Sequence, residues 1–328
     1  MYKLFTIACC CIFLQDNHYK TTGSIERIDP ALDAIISKDA VIEIIAAGFK
    51  WSEGPLWLDK QNMLLFSDIP ANIIYKWTEA KGKEIYLIPS GYTSNVQRSG
   101  ETGSNGLLLN KNGKLVMCQH GNRQMAMMDA AIDNPKPVFL TIAGSYVGKK
   151  LNSPNDAAYR RNGDLFFTDP PYGLEKNMDD PLKELPYQGV YKVTQAGVVK
   201  LLTDSITRPN GIAFLPGQKT LLVGNSDGDK PFIYAYDLAA NDSLINPRIF
   251  CNGGALPIAD KGGFDGIKVD KHGNVFASGP GGICIFNKDG KMLGLIRIPG
   301  RTSNCAFADD EETLYITADM YLMRVKMR

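Results

Sequence analysis

Histidine is scarce in this chain, three residues in 328, and the shortage narrows the chemistry available to it. His18 falls in the leader region and His272 in a turn, so a Ser-His-Asp triad lacks its base. Gly224-Asn225-Ser226-Asp227-Gly228 matches a nucleophile-elbow pattern, but Asp229-Lys230-Pro231-Phe232 leads into another strand where a helix would be required. No Cys-x-x-Cys occurs, which argues against a structural zinc site. Cys118, Cys251, Cys284 and Cys305 are far apart and read as buried thiols, with disulfides left open by their even number. Excess charge is missing too: Lys and Arg total 36 against 35 Asp and Glu, with no basic stripe, so nucleic acid is not an expected partner. Gly144-Ser145-Tyr146-Val147-Gly148-Lys149 is one residue short of a phosphate loop and lacks its Ser/Thr. Helical periodicity is nearly absent, apart from a short turn near Pro30 to Ile36.

What the chain does have is a repeated phrase. Arg208-Pro209-Asn210-Gly211-Ile212-Ala213-Phe214 sets an oxygen-bearing side chain just before a short apolar strand, which is followed by a turn and a second strand. The same order starts at Glu53, Asn105, Asn155, Asp265 and Asn304, making six units. Roughly ten positions after each lead residue comes the apolar start of a second strand: Leu64, Leu115, Leu165, Leu221, Val275 and Leu314. Between them lie hairpin turns such as Lys111-Asn112-Gly113, Arg161-Asn162-Gly163, Lys271-His272-Gly273 and Asp309-Asp310-Glu311. Lead residues are 52, 50, 55, 55 and 39 apart. Such a period, built from several short strands, predicts an all-β fold, a six-bladed β-propeller.

The first 27 residues read as a leader and linker, and residues 28–328 as a single propeller domain. Lys3 followed by an apolar run from Leu4 to Leu14 has the length of a signal-peptide core, too short to span a bilayer. This predicts an exported, periplasmic protein. Ile7-Ala8-Cys9-Cys10 also resembles a lipoprotein processing site, so membrane contact is expected only through a lipid anchor. Oligomeric state is left open. Ala40-Val41-Ile42-Glu43-Ile44-Ile45-Ala46 belongs to no complete blade, whereas the sixth blade is short of a strand. The early strand is therefore predicted to close the ring and remove its exposed edges.

In an up-and-down hairpin the first strand leaves one face and the second returns to it. All lead residues should then gather at one mouth, joined by the strand ends Asp68, His120, Asp169, Asn225 and Asp319, while turn residues such as His272 fall on the opposite face. Two carboxylates and four amides converging on an axis suit a hard divalent cation. The competing reading is that Asn-Gly and Asp-Gly are ordinary turn dipeptides.

Trp51-Ser52-Glu53-Gly54-Pro55-Leu56-Trp57, Ser104-Asn105-Gly106-Leu107, Gln119-His120-Gly121-Asn122-Arg123, Leu151-Asn152-Ser153-Pro154-Asn155-Asp156, Phe166-Phe167-Thr168-Asp169-Pro170-Pro171-Tyr172-Gly173, Arg208-Pro209-Asn210-Gly211 and Phe264-Asp265-Gly266-Ile267 resemble the gluconolactonase branch of the regucalcin/gluconolactonase family. The resemblance runs from about Val41 to the C-terminus. It implies one catalytic divalent cation, Ca²⁺ foremost with Mg²⁺, Mn²⁺ or Zn²⁺ as alternatives, held by Glu53, Asn155, Asn210 and Asp265. It further implies that Asn105 lies beside the cation, within reach of substrate, and that Asp265 doubles as proton acceptor and donor. No ligand role is implied for Asn304.

The expected substrate is a small-molecule sugar lactone, whose carbonyl a cation would polarise toward attack by water, with Asp265 as general base and then acid. His120 and Arg123 would hold substrate hydroxyls or the oxyanion, and Asp169 and Tyr172 would belong to a substrate-contacting loop. The alternatives are an organophosphate or other ester hydrolase on the same site, and a non-catalytic ligand-binding propeller with a structural metal.

Overall fold

The second strand of each repeat is apolar or small at nearly every position, the pattern of a strand buried on both faces. In the structure, a computed structural model that describes residues 19–308 and 311–328, each such strand is sandwiched between neighbouring sheets. Met63–Asp68, Leu115–Gln119, Leu165–Asp169 and Thr313–Ala318 are buried throughout. The outer strand Leu244–Asn252 of blade four is mostly exposed.

Six antiparallel sheets follow one another in chain order around a ring. Blade one comprises Ser52–Leu58, Met63–Asp68, Ile73–Thr78 and Gly82–Leu87, and the later blades repeat this up-and-down order. Six apolar clusters fill the spaces between blades. One packs Phe66 and Trp77 of blade one against Tyr315 and Leu322 of blade six. A chain of six blades has six such interfaces only when its ends meet, so this cluster marks closure. Complete burial of a Phe or Leu contributes about 1.5–3 kcal/mol, so each interface is substantial.

The closing strand is Ile42–Ala47, which pairs antiparallel with Tyr321–Lys326 as the fourth strand of blade six. Glu43 lies opposite Arg324, whose guanidinium forms ion pairs with Glu43 and Glu79 at 2.5 Å each and sits 5.0 Å from the centre of the Tyr19 ring. The segment before Arg27, expected as linker, is instead structured from Lys20. Lys20–Thr22 adds to Ile42–Ala47, and Ser24–Arg27 adds to Met292–Arg297 on blade five. Strand pairing there satisfies backbone groups that a linker would leave to water. The apolar segment Leu4 to Leu14, with Cys9, Cys10 and Cys11, lies outside the described residues. So do residues 309–310 of the sixth hairpin turn.

Pro30–Ala34 is a short 3-10 turn capped by the Asp29 carboxylate. The four described cysteines are free and buried. Ser145–Tyr146 and Lys149–Lys150 form a tight hairpin around Val147 and Gly148, both at positive φ, so this segment is a turn rather than a phosphate loop. Phe232–Leu238 after Ser226 is a strand, as the absence of a helix pattern indicated.

Candidate active site

What aims the lead residues is a break in strand pairing. Register shifts fall between Glu53 and Leu56, Ser104 and Leu107, Pro209 and Ile212, and Thr302 and Asn304. In blades three and five the first strand begins only at Ala157 and Ile267, after the lead residue. A bulge of this kind turns one side chain out of the alternation, here toward the axis.

The glycine after the lead residue serves the same end. Gly106, Gly211 and Gly266 have no positive φ, unlike turn glycines. Their N–H groups donate to Asn155 O (2.9 Å), Asp265 O (3.0 Å) and Ser303 O (2.9 Å) of the next blade. A Cβ at position 211 would stand 2.2 Å from Asp265 O, so only glycine permits the approach. Hydroxyls complete the stitching: Ser67 donates to Asn105 O (2.8 Å), Thr168 to Asn210 O (2.7 Å) and Ser303 to Ser52 O (2.7 Å).

Glu53 is buried, and its Oε2 accepts from Gly54 N (2.5 Å) and Asn304 Nδ2 (3.1 Å). Burial, reinforced by the nearby Asp156 carboxylate, pushes its pKa up to about 7 against those hydrogen bonds. Asp265 is held well above the carboxylate range by burial first, then by Glu53, Glu101 and Asp156. Four buried side-chain oxygens here lack any hydrogen-bond partner: Asn105 Oδ1, Asn210 Oδ1, Asp265 Oδ1 and Asp156 Oδ2. Buried acceptors are rarely left unpaired, and one such atom costs about 1–3 kcal/mol. Asn155, 3% exposed, is anchored through its main chain, donating to Thr168 O (2.9 Å). Among the described residues no group of three or more His, Cys, Asp and Glu gathers as a metal cage. Two carboxylates supplemented by unpartnered amide oxygens nevertheless fit a hard cation, whose charge would relieve the crowding of Glu53 and Asp265.

The remaining expected residues fall in different surroundings. His120 is fully buried, its Nδ1 3.0 Å from Glu101 Oε2 and its Nε2 3.4 Å from Asn105 Nδ2. Tyr172 hydrogen-bonds Ser226 Oγ (2.5 Å), and burial raises its pKa, so the phenol stays protonated. Arg123 and Asp169 bond main-chain groups of the neighbouring loops. The Arg123 guanidinium donates to Leu151 O (2.8 Å), Asn152 O (3.0 Å) and Leu182 O (2.8 Å). Asp169 accepts from Asn152 N and Ser153 N, both at 2.8 Å, just as Asp68 accepts from Trp51 N (3.1 Å). Both side chains brace the loops that precede a lead residue. His272 is exposed in its hairpin turn, the opposite end of blade five from Asp265.

Four residues at the site escaped the sequence reading. Ser226 and Asp265 line a cleft of about 780 Å³ together with Trp51, Lys261, Pro280 and Arg301. Glu101 reaches His120 from a long loop and carries no motif that would single it out. Asp156 stands where four other blades have glycine, and Lys268 interrupts an apolar strand; both signals were present in the sequence.

A closed six-bladed propeller with an oxygen-lined axial site opening into a cleft is the class that fold and geometry define. The model of the SMP-30/gluconolactonase/LRE-like region matches residues 51–319, and the chain belongs to that family. It is 40% identical over 315 residues to a gluconolactonase of Zymomonas mobilis, covering 94% of this chain and 87% of that one. A gluconolactonase structure from Xanthomonas campestris superposes with a TM-score of 0.80 at 29% identity, covering 94% of this chain and 97% of that chain. A regucalcin from Agrobacterium tumefaciens, described as calcium-binding, shares the fold at 17% identity, with a TM-score of 0.64 over 87% of this chain and 94% of its own.

Proposed function

We propose that this protein hydrolyses sugar lactones, as its gluconolactonase relatives are named for doing, with a divalent cation held by Glu53, Asn155, Asn210 and Asp265. The observation that carries the reading is the set of buried, unpartnered oxygens of Asn105, Asn210 and Asp265 at the axis beside Glu53. When bound, the cation supplies Lewis-acid polarisation of the lactone carbonyl and acidifies a nearby water. Oxygen-only donors favour Ca²⁺, with Mg²⁺, Mn²⁺ and Zn²⁺ as alternatives.

Within this scheme the chain's own groups divide the work. Asp265 takes the proton of the attacking water and returns it to the ring oxygen as the ester C–O bond breaks, giving the open hydroxy acid. Asn105, oriented by His120, faces the substrate. Ser226, which lines the cleft and is hydrogen-bonded to Tyr172, offers a hydroxyl where a sugar's own hydroxyls need partners. Arg123 and Asp169 support this set by fixing the backbone around it. The leader reading adds a periplasmic location and a lipid anchor at the N-terminal cysteines, testable by fractionation and lipid labelling.

The test is hydrolysis of D-glucono-1,5-lactone by chelator-stripped protein, followed by pH-indicator absorbance, with Ca²⁺, Mg²⁺, Mn²⁺ or Zn²⁺ restored singly. Activity returning with one ion supports the reading and names the ion. Cation binding without turnover would transfer the site to another ester or to a non-catalytic role.

A further inference from the structure

Asp156 and Lys268 lie in blades three and five, which are not neighbours, so their contact must cross the axis. Lys268 Nζ is 3.5 Å from Asp156 Oδ2. That carboxylate occupies room that glycine leaves open elsewhere, since a Cβ on Gly106 would stand 2.9 Å from Asp156 Oδ1. Oδ1 accepts from Ala157 N (2.8 Å), while Oδ2 is buried and has no hydrogen-bond partner. Lys268 Nζ also donates to Ile267 O and Asn304 Oδ1, both at 3.2 Å.

The consequence passes through Asn304. Its Oδ1 already accepts from Cys305 N (2.9 Å), and with the ammonium added, two donors fall on one oxygen. The amide can satisfy both only with Nδ2 turned the other way, onto Glu53 Oε2 at 3.1 Å. Gly54 N also falls on Oε2, and among the described residues Oε1 takes no hydrogen bond. Lys268 also sets a positive charge beside the Asp156 carboxylate at the axis.

We infer that Lys268 is a positioning residue, which through Asn304 holds Glu53 with Oε1 free for a divalent cation while offsetting Asp156. This rests on the cation reading proposed above. Removing partners that orient ligands typically costs about 10–100-fold in metal affinity.

The experiment measures the Ca²⁺ dissociation constant by calorimetry on chelator-stripped parent protein, Lys268→Met, Asn304→Leu and the double variant. Lys268→Met should raise the constant about 10–100-fold. The double variant should bind within about twofold of Asn304→Leu alone, because two changes in one relay are not additive. Should Lys268→Met fail to fold with Asp156 left unpaired, Asp156→Asn/Lys268→Met removes both charges and should show the same loss. Parental affinity in the Lys268 variants, or additive losses in the double, would overturn the relay and leave the cation reading intact. A parent protein that binds none of the four ions would overturn that reading and the relay together.

Discussion

The same dipeptides occur at both ends of the propeller and do opposite work. On the turn face, Asn162 Oδ1 accepts from Asp164 N (3.0 Å), and Gly163 takes φ 89°. Asn110 and Asp270 open two further turns, their Oδ1 atoms accepting from Asn112 N and His272 N, both at 2.9 Å, with Gly113 at φ 71° and Gly273 at φ 90°. There the side-chain oxygen is consumed and the glycine supplies left-handed backbone. At the mouth, Asn105-Gly106, Asn210-Gly211 and Asp265-Gly266 keep a side-chain oxygen unpartnered, and their glycines instead allow the next blade to approach. An Asn-Gly or Asp-Gly pair is therefore a turn where its oxygen is spent, and a candidate ligand where that oxygen is buried and unused.

The contrast would break most sharply at Asp265. Asp265→Asn should lower kcat/KM by roughly 10²–10⁴-fold, the usual range for a positioned acid–base group, while the melting temperature holds or rises because carboxylate crowding is relieved. Near-parental turnover would remove Asp265 from the chemistry.

A second effect should appear in the pH dependence of the chelator-stripped protein. Glu53 and Asp169 are each pushed up to about 7, and Asp265 well above its ordinary value, all chiefly by burial. The folded state then holds protons that the unfolded chain has released, so stability falls as pH rises from about 4.5 through 7. Glu53 alone would account for on the order of 3 kcal/mol. Saturating cation should remove the share due to Glu53 and Asp265 and leave that of Asp169, which lies in a loop brace. Denaturant melts at pH 5 and pH 8, with and without Ca²⁺, check this; an identical pH slope in both would contradict the division.

Two glycine substitutions compare the faces directly. Gly211→Ala sets a Cβ against Asp265 O, and should cost about 1–3 kcal/mol of stability and most activity, since Asn210 and Asp265 are forced apart. Gly113→Ala meets no atom and pays only for left-handed backbone, about 1–2 kcal/mol, with kcat/KM unchanged. Equal losses of activity would erase the distinction. The smallest effect should come from His272→Ala, within about 0.5 kcal/mol and with full turnover, because the side chain is exposed on the turn face. An inactive variant would mean that the faces are assigned the wrong way round.

Six lead residues, six second strands and an orphan early strand were legible in the sequence because a propeller repeats its local pattern, and strand burial writes that pattern in apolar residues. The mouth could be read for the same reason: hairpin geometry alone sends every lead residue to one side. Position near the mouth does not say where the hydrogen bonds of the Arg123 and Asp169 side chains go. Those were settled by the carbonyls of Leu151 and Asn152 and the amides of Asn152 and Ser153. Glu101 could not have been found, since a long loop returns it to His120 from outside the repeat. By itself, then, the sequence determined the blade count, the closing strand and the residues brought to one mouth, all consequences of local periodicity. Only the tertiary structure decided which oxygens stay unpaired there and that Lys268 meets Asp156 across the axis, because both depend on contacts between blades.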